Sequence, residues 1–161
     1  MAVYVEDSQP RQIRYALDLN QDWSTRNGVV EGFVGSKAIK REIRRDGGNW
    51  TLDGVPQEAV QTALDLDFGF TPATNHPQLQ RMALAIGQSR EITVAWMDVD
   101  SNALKPLPQI YARVADHAYD YDSPQGPYRA ILTVARSGFV SDYPDLWKMP
   151  ECADQEISLG A

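Results

Sequence analysis

The stretch IRYALDL, residues 13–19, alternates apolar and polar side chains from one residue to the next. A period of two is typical of a β-strand with one buried face. The same alternation recurs along the chain, in residues 64–70, 92–97, 110–114, 119–121 and 128–134. We therefore expect a mostly β protein built from short antiparallel strands.

Turn-forming residues separate these alternating runs and favour hairpins between them. They occur at Asn27-Gly28, Asp46-Gly47-Gly48, Asp53-Gly54, Ser101-Asn102, 124–127 and Ser137-Gly138. Helical patterns are scarce and short, in residues 57–63 and 77–86. Strands at regular spacing with such turns indicate a meander, a sandwich or a barrel.

The length of 161 residues and a hydrophobic fraction of 43 % fit one folded domain. We expect that domain over residues 1–150, with a loose tail over residues 151–161. The net charge of −7 argues against nucleic-acid binding. The sequence shows no secretion signal and no apolar run of the ~18 residues that a membrane span needs, so we expect a cytoplasmic protein.

Few residues are suited to metal or cofactor chemistry. A single cysteine and two histidines lack the spacing of a metal site, and the glycine motifs of nucleotide-binding loops are missing. We therefore expect no metal and no cofactor.

The basic run Lys37–Arg45 fits a charged edge strand better than an amphipathic helix, because glycines and turn residues flank it.

The segment DLDFGFTPATNHPQLQR, residues 65–81, combines an aromatic strand with a turn rich in hydroxyl and amide groups. In one interpretation it is a strand–turn–helix corner in which Thr74 or Asn75 caps the helix. In the other, these polar groups line a cleft beside Phe68 and Phe70. Hydroxyls, amides and an aromatic face are the groups that recognise a sugar.

Aromatic residues also recur on successive predicted strands, and they are either core or the lining of a pocket, with core the more usual role. They are Trp96, Tyr111, Tyr119, Tyr121 and Tyr128.

Three Asp pairs at i, i+2 could bring two carboxylates together for catalysis, but alternating acids are equally typical of a solvated strand face. These pairs are Asp65/Asp67, Asp98/Asp100 and Asp120/Asp122.

Five blocks in order resemble a bacterial family called "putative glycolipid-binding". They are NWTLDG from residue 49, LDLDFGFTPATN from 64, EITVAW from 91, residues 106–111 and DYPDLW from 142. The resemblance spans about Tyr4 to Trp147, with Asp145 where many members have glycine. It implies a curled antiparallel sheet that forms an incomplete barrel with one or two helices in its concavity, similar in shape to bacterial lipoprotein carriers. Members usually have one or two further strands before the equivalent of Tyr4. We therefore expect the sheet of this chain to be shortened at its N-terminal end.

These observations lead us to expect non-catalytic binding of an amphiphilic ligand, a glycolipid or acyl chain, in the concavity. Phe70, Trp96 and Tyr111 would form the apolar wall. Thr74, Asn75 and Arg81 would contact the polar head group. Tyr143 and Trp147 would close one end or anchor the fold.

Three alternatives stay open, one of them a truncated relative of the family that retains little function. The chain could be a hydrolase or isomerase of a sugar-linked substrate that uses Asp67 or Asp98 with Arg81, although we consider a non-enzyme the better expectation. It could also be an interaction scaffold that pairs through an open sheet edge, for instance as a homodimer.

Overall fold

The computed structural model describes residues 1–150, and the predicted tail lies outside the described residues. The first half of the chain forms a six-stranded antiparallel meander with strands in sequence order. Its strands are β1 (Ala2–Glu6), β2 (Gln9–Leu19), β3 (Thr25–Val34), β4 (Lys37–Asp46), β5 (Asn49–Leu52) and β6 (Val55–Pro56).

The second half forms a seven-stranded sheet in which β7 lies at one edge and β13 at the other. Its strands are β7 (Leu66–Phe68), β8 (Ser89–Met97), β9 (Lys105–Ala115), β10 (Ala118–Ser123), β11 (Tyr128–Val134), β12 (Val140–Tyr143) and β13 (Trp147–Lys148). All neighbours are antiparallel except β7 and β8, which run parallel. This strongly curled half-barrel confirms the predicted mostly β architecture.

Within residues 1–150, helical structure is limited to short pieces between β6 and β8. The helix α1 (Asn75–Met82) follows a 3₁₀ turn at Pro72–Thr74, and a second 3₁₀ turn lies at Glu58–Val60. The helix ends where Ala83 adopts a left-handed conformation, so it stops short of the predicted residue 86. Thr74 makes no side-chain cap on α1, whereas the Thr71 hydroxyl accepts a bond from Ala73 N.

Two sequence-based expectations about strands are wrong. Asn27-Gly28 does not form a turn but lies inside β3, where a Cβ on Gly28 would come within 2.5 Å of Leu66 Cδ2. Gly28 therefore permits close packing of β3 on β7. The alternating run at residues 64–70 yields a strand of only three residues, all of them buried, since this strand is covered on both faces.

Two clusters of buried side chains hold the fold together. The aliphatic cluster packs inside the first sheet and against β7, with Ile13, Val30, Ile43, Leu52 and Leu66 at its centre. The tyrosine cluster lies inside the second sheet and consists of Tyr111, Tyr121, Tyr128 and Tyr143, next to apolar residues of α1. A backbone bond from Thr25 N to Leu64 O, 2.9 Å long, joins the two halves.

Candidate binding cavity

A cavity of about 1010 Å³ lies between the two halves of the molecule, and residues from both sheets line it. Residues 1–4 at the start of the chain and residues 146, 147, 149 and 150 all contribute to its lining. A volume of this size lies at the upper end of the range typical of small-molecule sites. The cavity is therefore large enough for a ligand with both a head group and a hydrocarbon chain.

One wall of the cavity is a packed group of three aromatic rings. Phe68 and Phe70 stack with centroids 5.1 Å apart, and Tyr15 meets Phe70 edge-on at 5.7 Å. The Tyr15 and Thr71 hydroxyls lie 2.9 Å apart, which fixes the ring orientation at this wall. These contacts present an apolar surface to the cavity.

Trp96 continues the apolar surface on β8. A Cβ on Gly69 would lie 2.9 Å from Trp96 Cζ2, so the indole lies against a backbone without a side chain. The absence of a side chain at residue 69 therefore leaves room for the Trp96 ring. Asp98 also lines this part of the cavity, and its carboxylate accepts a bond from Val99 N.

The opposite wall carries three members of the tyrosine cluster. Tyr143 contacts Tyr128 and Tyr121, with centroid distances of 5.1 and 5.8 Å. Burial raises the pKa of both Tyr121 and Tyr143, so their hydroxyls stay protonated. Ser123 lies beside them, and its buried Oγ has no hydrogen-bond partner among the described residues.

Asp67 is the buried carboxylate of this cavity. Thr74 Oγ1 donates to its Oδ1 at 2.6 Å and Gln109 Nε2 donates to its Oδ2 at 2.8 Å. Desolvation raises the pKa of Asp67 to about 6 despite these donors. Asp67 as a residue is 7 % exposed and borders the cavity, so its carboxyl group lies directly at the cavity wall.

A buried amide network supports Asp67 from behind. Asn75 Nδ2 donates to the Tyr111 hydroxyl at 2.7 Å, and that hydroxyl donates to Gln78 Oε1 at 2.8 Å. Gln109 Oε1 lies 3.2 Å from the same hydroxyl. Burial raises the pKa of Tyr111 well above its usual value, which keeps it a hydrogen-bond donor.

The structure places the predicted ligand contacts in two groups. Phe70, Asn75 and Trp96 line the cavity, as do the predicted closing residues Tyr143 and Trp147. Thr74 and Tyr111 are fully buried behind the wall and have their own hydrogen-bond partners. Arg81 lies away from the cavity and forms a bidentate pair with the buried carboxylate of Asp65.

Several cavity and network residues were not identified from the sequence. Gln109 lies in the block at residues 106–111 and Gln78 in the segment at residues 65–81, but neither these two residues nor Ser123 stood out as a site residue. The contact between Gln109 and Asp67 spans 42 positions. A weak signal exists for Gln109, which shares a strand face with Tyr111 in an otherwise apolar run. A buried amide on such a face indicates an internal hydrogen-bond partner.

This fold and cavity define a class of β-protein in which a curled sheet borders an open, ligand-sized cavity. Residues 1–149 match the model of the "Putative glycolipid-binding" family, and the chain belongs to that family. This confirms the resemblance found in the five sequence blocks.

Among solved structures, the chain is similar to the crystal structure of a DUF1089 family protein from Pseudomonas aeruginosa. The two share 28 % identity with a TM-score of 0.80, over 91 % of this chain and 89 % of the other. No curated protein matches the sequence. No helix within residues 1–150 has the length and apolar character needed to cross a membrane.

Proposed function

We propose that this protein binds one amphiphilic molecule, a glycolipid, in the cavity between its two halves. The observation that carries the proposal is the combination of a cavity of about 1010 Å³ with aromatic walls and the buried carboxylate of Asp67. The family description supports a binding role. The protein acts here as a carrier or receptor and performs no chemical step.

The apolar part of the ligand would contact Phe70 and Trp96. Their rings face the cavity, and a buried hydrocarbon chain gains roughly 0.8 kcal/mol per methylene group removed from water. The polar part would contact Asn75, with Tyr143 and Trp147 near the end where residues 146–150 border the cavity. Thr74 and Tyr111 would act indirectly, by holding Asp67 and Asn75 in position.

Binding of alkyl glycosides to purified, delipidated protein tests this proposal. We expect octyl β-D-glucoside to bind in isothermal titration calorimetry with a one-to-one stoichiometry. We expect Phe70→Ala to weaken that binding about tenfold, because the ring forms one wall of the cavity. Phe33→Ala is the matched control, since Phe33 is 52 % exposed on β3 and lies outside the cavity.

The proposal fails if neither alkyl glycosides nor native lipids co-purifying with the protein bind at all. It also fails if Phe33→Ala and Phe70→Ala weaken binding equally, because the cavity would then not be the site. Native mass spectrometry of the protein isolated without detergent provides the second readout, through a mass excess that delipidation removes.

A catalytic alternative rests on Asp67 alone. A carboxyl group with a pKa of about 6 at a cavity wall has a value suited to a general acid. The partner expected from the sequence, Arg81, is engaged by Asp65 instead. Incubation with p-nitrophenyl glycosides would reveal hydrolysis that Asp67→Asn abolishes if this alternative holds.

A further inference from the structure

The charges around the cavity are unevenly distributed and favour one kind of head group. The lining side chains that carry a formal charge at neutral pH are Asp67, Asp98 and Lys105. Asp67 is buried, whereas Lys105 lies exposed at the start of β9. An anion placed among the inner polar groups would therefore lie near a carboxylate, without an arginine or lysine beside it in the described lining.

The uncharged polar groups near Asp67 suit hydroxyl groups as partners. Tyr121 and Tyr143 are close enough to Asp67 for its charge to raise their pKa values, and both line the cavity. The buried Ser123 Oγ on the same wall has no hydrogen-bond partner within residues 1–150. Hydroxyls that both donate and accept match this mixture of carboxylate, phenol and hydroxyl groups.

Asp67 itself has capacity left for a ligand. Each of its oxygens accepts one bond from the protein, from Thr74 and from Gln109 respectively. A carboxylate offers about four acceptor positions, and with the buried Gln78 Nε2 as a third donor beside it one position remains for a ligand. A sugar hydroxyl can donate to this position, and bonds to a charged acceptor are about twice as strong as neutral ones.

From this arrangement we infer that Asp67 selects an uncharged, polyhydroxylated head group and excludes anionic amphiphiles such as fatty acids, alkyl sulfates and alkyl phosphates. The inference rests on the proposed function and names the ligand class of the same cavity. Asp67 accepts a hydrogen bond from a head-group hydroxyl, while Tyr121, Ser123 and Tyr143 complete the polar surface.

Two probes with the same alkyl chain measure this selectivity: octyl β-D-glucoside, which is neutral, and octyl sulfate, which stays ionised across the pH range. At pH 7.5 we expect the glucoside to bind at least tenfold more tightly than the sulfate. Asp67→Asn should weaken glucoside binding about tenfold and strengthen sulfate binding, which narrows or reverses the preference. Asp46→Asn, at an exposed position of β4 outside the cavity lining, is the matched control and should change the ratio by less than threefold.

The wild-type protein provides a second arm that does not depend on the folding of a variant. Sulfate binding should strengthen as the pH falls from 7.5 to 5, because Asp67 becomes protonated. The titratable groups near it are Asp65, which is paired with Arg81, and three tyrosines that stay neutral in this range, Tyr111, Tyr121 and Tyr143. The effect should disappear in Asp67→Asn.

The outcomes separate the two levels of the proposal. If neither probe binds, the proposed function fails and the selectivity with it. If both bind with equal affinity, or if the sulfate binds better, the cavity binds amphiphiles but Asp67 does not select among them. Tighter binding of octylammonium than of the glucoside would overturn the assignment of an uncharged head group.

Discussion

The two buried clusters differ in what their side chains can do besides pack. The aliphatic cluster has only hydrocarbon groups at its centre, among them Ile13 and Ile43, both fully buried. The tyrosine cluster carries hydroxyls and lies next to buried amides and Asp67. Burying polar groups requires a partner for each of them. The centre of the first cluster therefore serves stability, and its aromatic margin at Phe68 and Phe70 reaches the cavity, whereas the second cluster exchanges some stability for a polar cavity wall.

The ion pair of Asp65 and Arg81 joins the start of β7, which packs in the aliphatic cluster, to α1, which packs in the tyrosine cluster. Asp65 precedes β7 and is 1 % exposed, and Arg81 lies on α1. Arg81→Met removes one partner and leaves a buried carboxylate uncompensated, so we expect a loss of about 3 to 5 kcal/mol in the free energy of unfolding. Urea denaturation measures it.

The double variant Asp65→Asn/Arg81→Met is the control for that effect. Because it removes both charges, it should recover most of the lost stability. A loss below about 1 kcal/mol in the single variant would show that the pair behaves as an exposed one. Glucoside binding should persist in the double variant, since Arg81 lies away from the cavity.

Truncation at the centre of the aliphatic cluster should affect stability without affecting binding. Ile43→Ala removes buried methyl and methylene groups from the inner face of β4. We therefore expect the free energy of unfolding to fall by about 2 to 4 kcal/mol. Thermal and urea unfolding measure the loss, and calorimetry with octyl β-D-glucoside below the melting temperature should give an unchanged Kd. A large change in Kd would mean that the two clusters are coupled.

Asp67 gives the tyrosine side of the molecule a distinct pH dependence. Its pKa is about 6 in the folded protein against 3.8 for an unperturbed carboxyl. The folded state thus binds the proton more tightly, so the contribution of Asp67 to stability falls as the pH rises from about 3.8 to about 6 and is constant above that. The difference amounts to roughly 2 to 3 kcal/mol.

Asp67→Asn lacks this titration. Relative to wild type, the variant should gain about 2 to 3 kcal/mol in the free energy of unfolding between pH 4 and pH 7.5. Paired urea denaturation curves at several pH values measure the change, and Asp98→Asn is the control on the same cavity. A stability difference that does not vary with pH would contradict the raised pKa of Asp67.

The aliphatic side of the molecule could be predicted from the sequence better than the polar side. The alternation of apolar and polar residues at 13–19 and 92–97 correctly predicted parts of β2 and β8. A strand with one buried face requires this alternation in its sequence. Strand β3 was missed because its glycines resemble turn signals. One of them, Gly32, has a positive φ and a Cβ there would lie 1.9 Å from Gln12 O.

The cavity could be predicted only in part. The stretch around residues 65–81 correctly drew attention to a segment that lines it, with Phe70 and Asn75 at the wall. The network behind Asp67 could not be predicted, because it joins residues of β7, α1 and β9 that are far apart in the chain. Hydrogen bonds between distant residues leave no periodic signal, whereas hydrophobic patterning does.

Tyr111 and Tyr143 allow a comparison between a tyrosine that stabilises the fold and one that contacts the ligand, because the same substitution by Phe removes one hydroxyl from each. Tyr111→Phe leaves Asn75 Nδ2 and Gln78 Oε1 without their partner, so we expect a loss of about 1 to 2 kcal/mol in the free energy of unfolding. Its glucoside Kd should change less than threefold, because Tyr111 lies behind the wall. Tyr143→Phe should cost less stability and weaken glucoside binding more, because its side chain lines the cavity. Urea denaturation and calorimetry on both variants measure the two effects, and the reverse pattern would place the ligand against Tyr111.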